Sequence, residues 1–399
     1  MFRIPEWRKL TIPSLWHFLP IAVLGLVAFV WLTLAIEAGF GVLKIPTLKD
    51  IAPLTDAECP SVSILFAARD EAEKLPDALA TFLKLDYPRY EIVAVNDRSG
   101  DSTGEILESA ARSDSRLKVV SVTSLPAGWL GKPYALQQAY ERSTGEWLVL
   151  TDADVHFAPD VLRRAVALAE KNKWDHMPLL AEAKMFTFGE KVVLTFFAFS
   201  FVMATRPWSV SKPESPAYIG VGAFQLIRRS TYEKMGMHKR LAMEVIDDMK
   251  VGKLVKEAGC VSGVARAGPA VSLHWHSGVR NLIRGTEKNF FAAAGFRLWM
   301  TGVQLFSILF MYILPWILLP FVHGWALVFA GIAIAVPVIA QAGAAREFRV
   351  SLLYALTQPV GALIFCWMVA RSTIVTMRNG GIIWRGTFYP LEELKRGLV

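Results

Sequence analysis

A short apolar segment that ends in two carboxylates constrains this chain most. Residues 147–150 (Trp-Leu-Val-Leu) predict a buried strand, and Thr151-Asp152-Ala153-Asp154 follows directly. Side chains two positions apart at a strand end share a face, so Asp152 and Asp154 are predicted to converge on one hard cation that would neutralise a diphosphate. Asp-x-Asp is also a common turn sequence after a strand, so the surrounding segments must decide between the two interpretations.

Composition indicates a membrane protein with anionic ligands. Of the 399 residues, 53% are hydrophobic, which is high for a soluble protein. The net charge of +8 is dispersed and many basic residues flank apolar segments. Anionic lipid headgroups and an anionic nucleotide explain this charge better than a nucleic acid, so no nucleic-acid partner is expected. Cys59, Cys260 and Cys366 are too widely spaced for a metal site and predict no disulfide framework.

Four apolar segments are long enough to cross a bilayer. Residues 15–36 predict a membrane anchor within an N-terminal region 1–45, with a cleaved signal peptide as the alternative. Residues 298–322, 325–342 and 351–370 predict a C-terminal membrane domain, 292–399, that ends in a basic interfacial tail. Residues 192–203 are too few to span, and both an interfacial helix and a buried helix remain open.

The sequence does not determine the orientation of the chain in the membrane. We expect the catalytic domain to be cytosolic, on the inner membrane if the protein is bacterial. Four crossings would then place both basic termini outside, against the positive-inside rule. Re-entrant segments and a failure of the rule both remain open.

Between these segments, strands alternate with helices. Residues 62–68, 90–95, 117–122 and 147–150 predict strands, and helical periodicity separates them, as in residues 71–85. This alternation predicts an α/β domain with a parallel sheet. Ligands of such sheets bind beyond the carboxyl ends of the strands, where Asp97, Asp152 and Asp154 are all expected.

Four ordered motifs over about ninety residues resemble the nucleotide-sugar half of family 2 glycosyltransferases. They are Ala68-Arg69-Asp70-Glu71, Asn96-Asp97-Arg98-Ser99-Gly100-Asp101, Gly131-Lys132-Pro133-Tyr134-Ala135-Leu136 and Thr151-Asp152-Ala153-Asp154. The resemblance implies a GT-A fold, a Rossmann-like domain for nucleotide-diphospho-sugar transfer, over residues 55–291. Membrane helices flank this domain on both sides.

The resemblance also implies roles for individual residues. Asp97 would hydrogen-bond a uracil-type base, and Ala68 and Glu71 would line the nucleoside. Lys132 would lie near the diphosphate, with a solvated loop lysine as the alternative. Asp154 would bind a divalent metal, Mg²⁺ or Mn²⁺, with Asp152 beside it. Asn96 and Asp70 stand where the family more often has Asp and Asn, which leaves the nucleotide preference open.

A second acidic pair, Asp247-Asp248, is expected to open a helix. It resembles the family's acidic pair, whose second carboxylate is the base of inverting transfer, so Asp248 is the candidate base. Asp247 would raise the pKa of Asp248 towards the working range. The alternative is an acidic helix start that the helix dipole favours.

Two downstream segments are weaker signals. His274 and His276 alternate along an extended segment, and one of them is a candidate metal ligand. Residues 284–290 stand where membrane-bound relatives have Gln-x-x-Arg-Trp, but Lys288 and Asn289 replace the Arg and Trp. This mismatch favours transfer of one sugar over processive synthesis.

The favoured hypothesis is a membrane glycosyltransferase that moves one sugar from a nucleotide-diphosphate donor, UDP-linked, to a lipid acceptor. Within the family it is most similar to enzymes of hopanoid and carotenoid glycosylation and to ceramide glucosyltransferases. A polyprenyl-phosphate glycosyltransferase is one alternative. A non-catalytic lipid-binding membrane protein with a degenerate transferase domain is the other.

Overall fold

The computed structural model describes residues 12–399 and contains an eight-stranded mixed sheet. The strands of this sheet are β1 (Val62–Ala68), β2 (Tyr90–Asp97), β3 (Leu117–Val122), β4 (Trp147–Asp152), β5 (His156–Phe157), β6 (His176–Ala183), β7 (Gln225–Arg228) and β8 (Ala265–Leu273). A separate two-stranded hairpin consists of β9 (Gly381–Trp384) and β10 (Thr387–Pro390).

The helices fall into two groups, those of the sheet domain and the segments beside it, and those rich in apolar residues. The first group is α2 (Leu75–Leu83), α3 (Thr103–Ser113), α4 (Gly131–Arg142), α5 (Val161–Asn172), α7 (Arg229–Lys234), α8 (Asp247–Glu257), α9 (Gly278–Gly285), α10 (Asn289–Ala293) and α15 (Leu391–Arg396). The second is α1 (Ile12–Val42), α6 (Phe188–Thr205), α11 (Leu298–Ile308), α12 (Leu314–Leu318), α13 (Trp325–Glu347) and α14 (Gln358–Asn379).

The sheet has the strand order β3-β2-β1-β4-β7-β6-β8-β5. Strands β1 to β4 are parallel, as the alternating pattern predicts. Beyond β4 the sheet is mixed, because β7 runs antiparallel to both β4 and β6. The prediction of a parallel sheet therefore holds only for the first four strands.

Both faces of the sheet are covered. In β1, Ile64 and Phe66 lie in a core with α2 and α5, whereas Leu65 lies in a core with α4 and α8 on the opposite face. Strands covered on both faces read as continuous apolar runs, which is why β1 and β4 are recognisable from sequence.

Helix α2 begins four residues later than the predicted start at Glu71. The backbone N–H groups of Glu71 and Ala72 donate instead to the side chains of Thr103 (2.9 Å) and Asp101 (3.0 Å). These bonds hold residues 71 and 72 in a turn, so the chain after β1 stays at the carboxyl edge of the sheet.

Helices α1 and α13 pack side by side and run in the same direction. Leu24 shares an apolar cluster with Ala326, and Trp31 shares another with Ala333. Both helices end near β8, because Arg266 donates to the Ile45 carbonyl (3.2 Å) and lies 3.7 Å from the Glu347 carboxylate. The segment after α1 is thus packed against the sheet domain.

Within residues 12–399, five helical segments are long and apolar enough to cross a membrane, one more than expected. The additional one is α6, which has 18 residues where the sequence suggested 12. Strand β6 precedes α6 and β7 follows it, and the two strands pair within one sheet. Both ends of α6 therefore lie on the side of the sheet domain.

Helix α14 also stays close to the sheet domain. Near its start, Gly361 packs against Val192 and Phe196 of α6. Near its end, Arg371 pairs with Glu287 (2.6 Å), and Ser372 accepts a hydrogen bond from the Phe291 backbone N–H (3.0 Å).

The residues after α14 return to the sheet domain. Ile382, Tyr389 and Leu394 form an apolar cluster with Leu130 and Phe291. The sequence predicted a basic interfacial tail here, and the structure instead packs this segment on the domain.

Candidate active site

The carboxyl ends of β1, β2 and β4 meet at one edge of the sheet. Ala68, the last residue of β1, pairs with Asn96 of β2, and Ala67 pairs with Asp152 of β4. Asp97 is the last residue of β2 and is buried. The structure thus brings Ala68, Asp97 and Asp152 to one crevice, as the strand pattern predicts.

Asp152 and Asp248 face each other across Gly222. Lys132 donates to Asp152 Oδ1 (2.5 Å). The Gly222 backbone N–H donates to Asp248 Oδ2 (3.0 Å), and the Met249 N–H donates to Asp248 Oδ1 (2.8 Å). A Cβ on Gly222 would lie 2.7 Å from Asp152 Oδ2 and 3.3 Å from Asp248 Oδ2. Only glycine leaves room for both carboxylates here.

The two aspartates that open α8 differ in pKa. Burial and the neighbouring Asp247 raise the pKa of Asp248. Burial acts in the same direction on Asp247, but Lys132 and His238 outweigh it and lower the pKa of Asp247. His238 Nε2 lies 3.6 Å from Asp247 Oδ2. Asp248 is therefore the member of the pair suited to accept a proton.

Asp154 lies in a different environment from Asp152. Lys74 Nζ donates to Asp154 Oδ2 (2.8 Å) and to the His274 carbonyl (3.2 Å). The two aspartates are therefore paired with different lysines, and among residues 12–399 no three Asp, Glu, His or Cys side chains gather as a metal site.

The donor set at the crevice nevertheless fits a magnesium-like cation. Such ions are commonly held by one or two carboxylates, with water and substrate phosphates as the remaining ligands, so three protein ligands are not required. Asp154 already holds a cationic group in the form of Lys74. Asp154 and Asp152 as metal ligands remain a prediction.

Asp97 and Glu71 are both paired with arginines. Arg98 donates to both oxygens of Asp97 (2.7 and 3.1 Å), and a Cβ on Gly131 would lie 2.5 Å from Asp97 Oδ2. Glu71 pairs with Arg385, and burial raises the pKa of Glu71. The nucleoside contacts predicted for Asp97 and Glu71 remain predictions.

His274 and His276 have different neighbours. His274 Nε2 lies 3.6 Å from Glu190 Oε2, and its ring packs against Phe186. His276 stacks on Trp275, and burial together with Lys74 lowers the pKa of His276 to about 4. A role for either histidine at the metal remains a prediction.

Two residues of the site were missed as functional residues. Burial and nearby Lys132 lower the pKa of Lys288 to about 8, and Asp247, Asp248 and Asp152 partly offset this effect. Lys288 Nζ lies 3.9 Å from the ring centre of Trp384. The second missed residue is Arg385, which follows Trp384 in the chain and contacts Glu71. A sequence signal for this hairpin was present, because Arg385-Gly386 lies between two β-prone segments, which is typical of a hairpin turn.

Comparison with solved structures defines the class of fold. The structure is similar to "Mannosyltransferase PcManGT from Pyrobaculum calidifontis in complex with GDP-Man and Mn2+", with a TM-score of 0.52 and 20% sequence identity. The similarity covers 90% of this chain and 99% of that chain. The fold is therefore GT-A, as predicted.

Sequence comparison then gives a family similarity. Residues 63–235, less than half of the chain, match the family model described as "Glycosyl transferase family 2". Over this segment the chain is similar to that family.

Two curated relatives are similar to part of this chain. "Beta-monoglucosyldiacylglycerol synthase" of Trichormus variabilis is 34% identical over 116 residues, which are 29% of this chain and 24% of that protein. "Undecaprenyl-phosphate 4-deoxy-4-formamido-L-arabinose transferase" of Pseudomonas savastanoi is 32% identical over 114 residues, which are 28% of this chain and 33% of that protein. The chain thus spans a third or less of the length of these relatives.

Proposed function

We propose that this protein is an integral membrane, inverting glycosyltransferase that moves one sugar from a UDP-linked donor to a lipid acceptor. The observation that carries the proposal is Asp248, whose carboxylate is fixed by two backbone N–H groups opposite Asp152 and Lys132. The names of the relatives above, a glucosyldiacylglycerol synthase and an undecaprenyl-phosphate transferase, support a lipid as the acceptor. A hopanoid is one acceptor of this kind.

The proposed reaction is a single displacement. The acceptor hydroxyl oxygen forms a bond to the anomeric carbon from the side of Asp248, and Asp248 takes up the hydroxyl proton. The bond between the anomeric carbon and the donor phosphate breaks, and the nucleoside diphosphate leaves with the electron pair. Displacement from one face inverts the anomeric carbon.

The leaving group is anionic, so cationic groups must stabilise it. Lys132 is such a group, because Asp152, Asp247 and Asp248 raise its pKa despite burial and keep it charged. Asp154 and Asp152 would hold the divalent metal. When bound, the metal would neutralise part of the diphosphate charge.

A polyprenyl-phosphate acceptor is the second candidate, and the similarity to the undecaprenyl-phosphate transferase favours it. A phosphate acceptor is already ionised at neutral pH, so it needs no strong base. Full activity of an Asp248→Asn variant towards such an acceptor would therefore favour this candidate.

The acceptor class can be tested with lipid extracts. Cells that express the protein are expected to contain a lipid that is one hexose heavier than a lipid of cells that lack it, detected by mass spectrometry. Purified protein should form the same product from the parent lipid and a UDP-sugar. Unchanged extracts, together with no transfer from a panel of UDP- and GDP-sugars, would contradict the proposal.

We further propose three membrane crossings, with the catalytic domain in the cytosol. Helix α1 would cross towards the domain, the segment from α11 to α12 would cross away from it, and α13 would return. Helices α6 and α14 would lie at the membrane surface on the domain side. The parallel packing of α1 and α13 and the return of residues 381–399 to the domain support this arrangement.

The basic residues near α13 support this topology, whereas those before α1 oppose it. Residues 298–345 carry no Lys or Arg, whereas Arg346 lies in the last turn of α13 and Arg349 follows this helix. This distribution supports an outside position for the far end of the hairpin formed by α12 and α13. Arg3, Arg8 and Lys9 precede α1, outside the described residues, and would oppose the rule.

Cysteine labelling tests the topology. In a variant without Cys59, Cys260 and Cys366, a cysteine at His323 is expected to react with an impermeant maleimide added outside intact cells. A cysteine at exposed Arg396 should react only after the membrane is opened. Labelling of both positions from outside, or of neither, would contradict three crossings.

A further inference from the structure

The hairpin of β9 and β10 holds one arginine at the rim of the crevice. Arg385 and Gly386 form its two-residue turn, with φ of 48° and 76°, and Trp384 pairs with Thr387 across it. Two positive φ values are typical of a tight hairpin turn. Because Ile382 and Tyr389 are buried against the catalytic domain, the position of this turn is fixed by packing.

Three residues of the hairpin contact the segments that follow β1 and β2. Arg385 pairs with Glu71, and Arg69 donates to the Thr387 hydroxyl (3.5 Å). Tyr389 is close enough to Arg98 to stabilise its charge. The hairpin thus covers the part of the crevice where the resemblance expects the nucleoside.

The ion pair of Arg385 lies close to the proposed metal and phosphate site. Its partner Glu71 lies in one turn with Lys74, whose backbone N–H donates to the Glu71 carbonyl (3.1 Å) and whose Nζ donates to Asp154 Oδ2 (2.8 Å). The Arg385 side chain is 45% exposed and the Glu71 side chain 18% exposed, so water reaches the pair mainly on the side of the arginine. Water weakens an ion pair that it can reach, so Arg385 can exchange Glu71 for a diphosphate, which carries more negative charge.

We infer that Arg385 is a donor-binding residue, which leaves Glu71 and pairs with the diphosphate of the nucleotide sugar. This inference rests on the proposed function and adds a residue outside the matched region 63–235. A guanidinium can donate two parallel hydrogen bonds to phosphate oxygens. Glu71 then becomes free to accept hydrogen bonds from ribose hydroxyls.

Calorimetry with UDP and with uridine, both in the presence of Mn²⁺, tests this role on the full-length protein. Arg385→Ala is expected to raise the Kd of UDP by about 10-fold or more, since a charge-assisted hydrogen bond is lost. The Kd of uridine, which has no phosphate, should stay within about twofold of wild type. Arg385→Lys should recover part of the UDP affinity, because it keeps the charge without the fork geometry.

Arg396→Ala is the matched control, since Arg396 is an exposed arginine of the same C-terminal segment. It should leave both Kd values unchanged. Because Arg385→Ala leaves Glu71 without its arginine, Glu71→Gln and Glu71→Gln/Arg385→Ala are measured as well. Relative to Glu71→Gln, the double variant should show the same loss of UDP affinity that Arg385→Ala shows relative to wild type. Thermal melting shows that each variant is folded.

The outcomes separate this inference from the proposed function. Equal UDP affinity in folded wild-type and Arg385→Ala proteins would overturn the role of Arg385 and leave the proposed function intact. Tighter UDP binding by Arg385→Ala would also overturn it, because the ion pair with Glu71 would then compete with the donor. If wild-type protein binds neither UDP nor GDP, the proposed function and this inference both fail.

Discussion

Replacing Asp248 with Asn is expected to lower the rate of sugar transfer by about 100-fold to 10,000-fold, the usual contribution of a general base. Asparagine keeps the shape of the side chain, but its one carbonyl oxygen can accept only one of the two N–H bonds that Gly222 and Met249 donate. The residues predicted to bind the donor, Asp97 and Lys132, are unchanged, so binding of the donor should survive in the folded variant. Single-turnover transfer measures the rate, and calorimetry with UDP measures binding.

The pH dependence gives a second readout of the same role. A base must be deprotonated to act, and the pKa of Asp248 is raised. The rate of the wild-type protein should therefore fall as the pH drops through this raised pKa, and the residual rate of Asp248→Asn should lack that step.

Glu257→Gln is the control, because Glu257 is an exposed carboxylate at the other end of α8. It should transfer sugar at the wild-type rate. A folded Asp248→Asn protein with more than about a tenth of the wild-type rate would contradict the base assignment. A helix-opening carboxylate contributes about 0.3 to 1 kcal/mol of stability, so thermal melting distinguishes that role.

Replacing Asp154 with Ala is expected to remove the effect of divalent cations on UDP binding. In the wild-type protein, Mn²⁺ should tighten UDP binding, and a chelator should reverse the effect. Without Asp154 the affinity for the metal should fall by at least about 10-fold, since even loss of an outer-shell partner costs this much. Calorimetry with and without Mn²⁺ measures both quantities.

Asp160→Ala is the matched control for Asp154. Asp160 also follows β4 and pairs with a cation, Arg164 (2.6 Å), but it lies at the start of α5. It should keep the full Mn²⁺ effect. UDP affinity that does not change with Mn²⁺ in wild type, or an unchanged Mn²⁺ effect in Asp154→Ala, would contradict the metal assignment.

Strand periodicity did not predict the partners of Asp152 and Asp154. Their convergence on one cation remains a prediction, and each carboxylate pairs with a lysine from a different helix or turn. Lys132 comes from α4, and Lys74 immediately precedes α2. Strand periodicity predicts the face of the sheet on which a side chain lies, whereas the charged groups packed nearby determine which partner the side chain binds.

The membrane segments show a similar limit. Length and hydropathy admit α6 and α14 as membrane crossings as well as α1, α13 and the segment from α11 to α12. Pairing between β6 and β7 keeps both ends of α6 on one side. Hydropathy describes one segment at a time, so it cannot include a constraint that two distant strands impose.

The sequence by itself determined the class of fold and the edge of the sheet that carries the site. Apolar strands end at Asp97 and Asp152, and parallel strands bring their carboxyl ends together. Only the tertiary structure placed Arg385 beside Glu71, 314 residues earlier in the chain. That contact depends on the packing of Ile382 and Tyr389 against Leu130 and Phe291, and no local period of the sequence encodes packing between such distant residues.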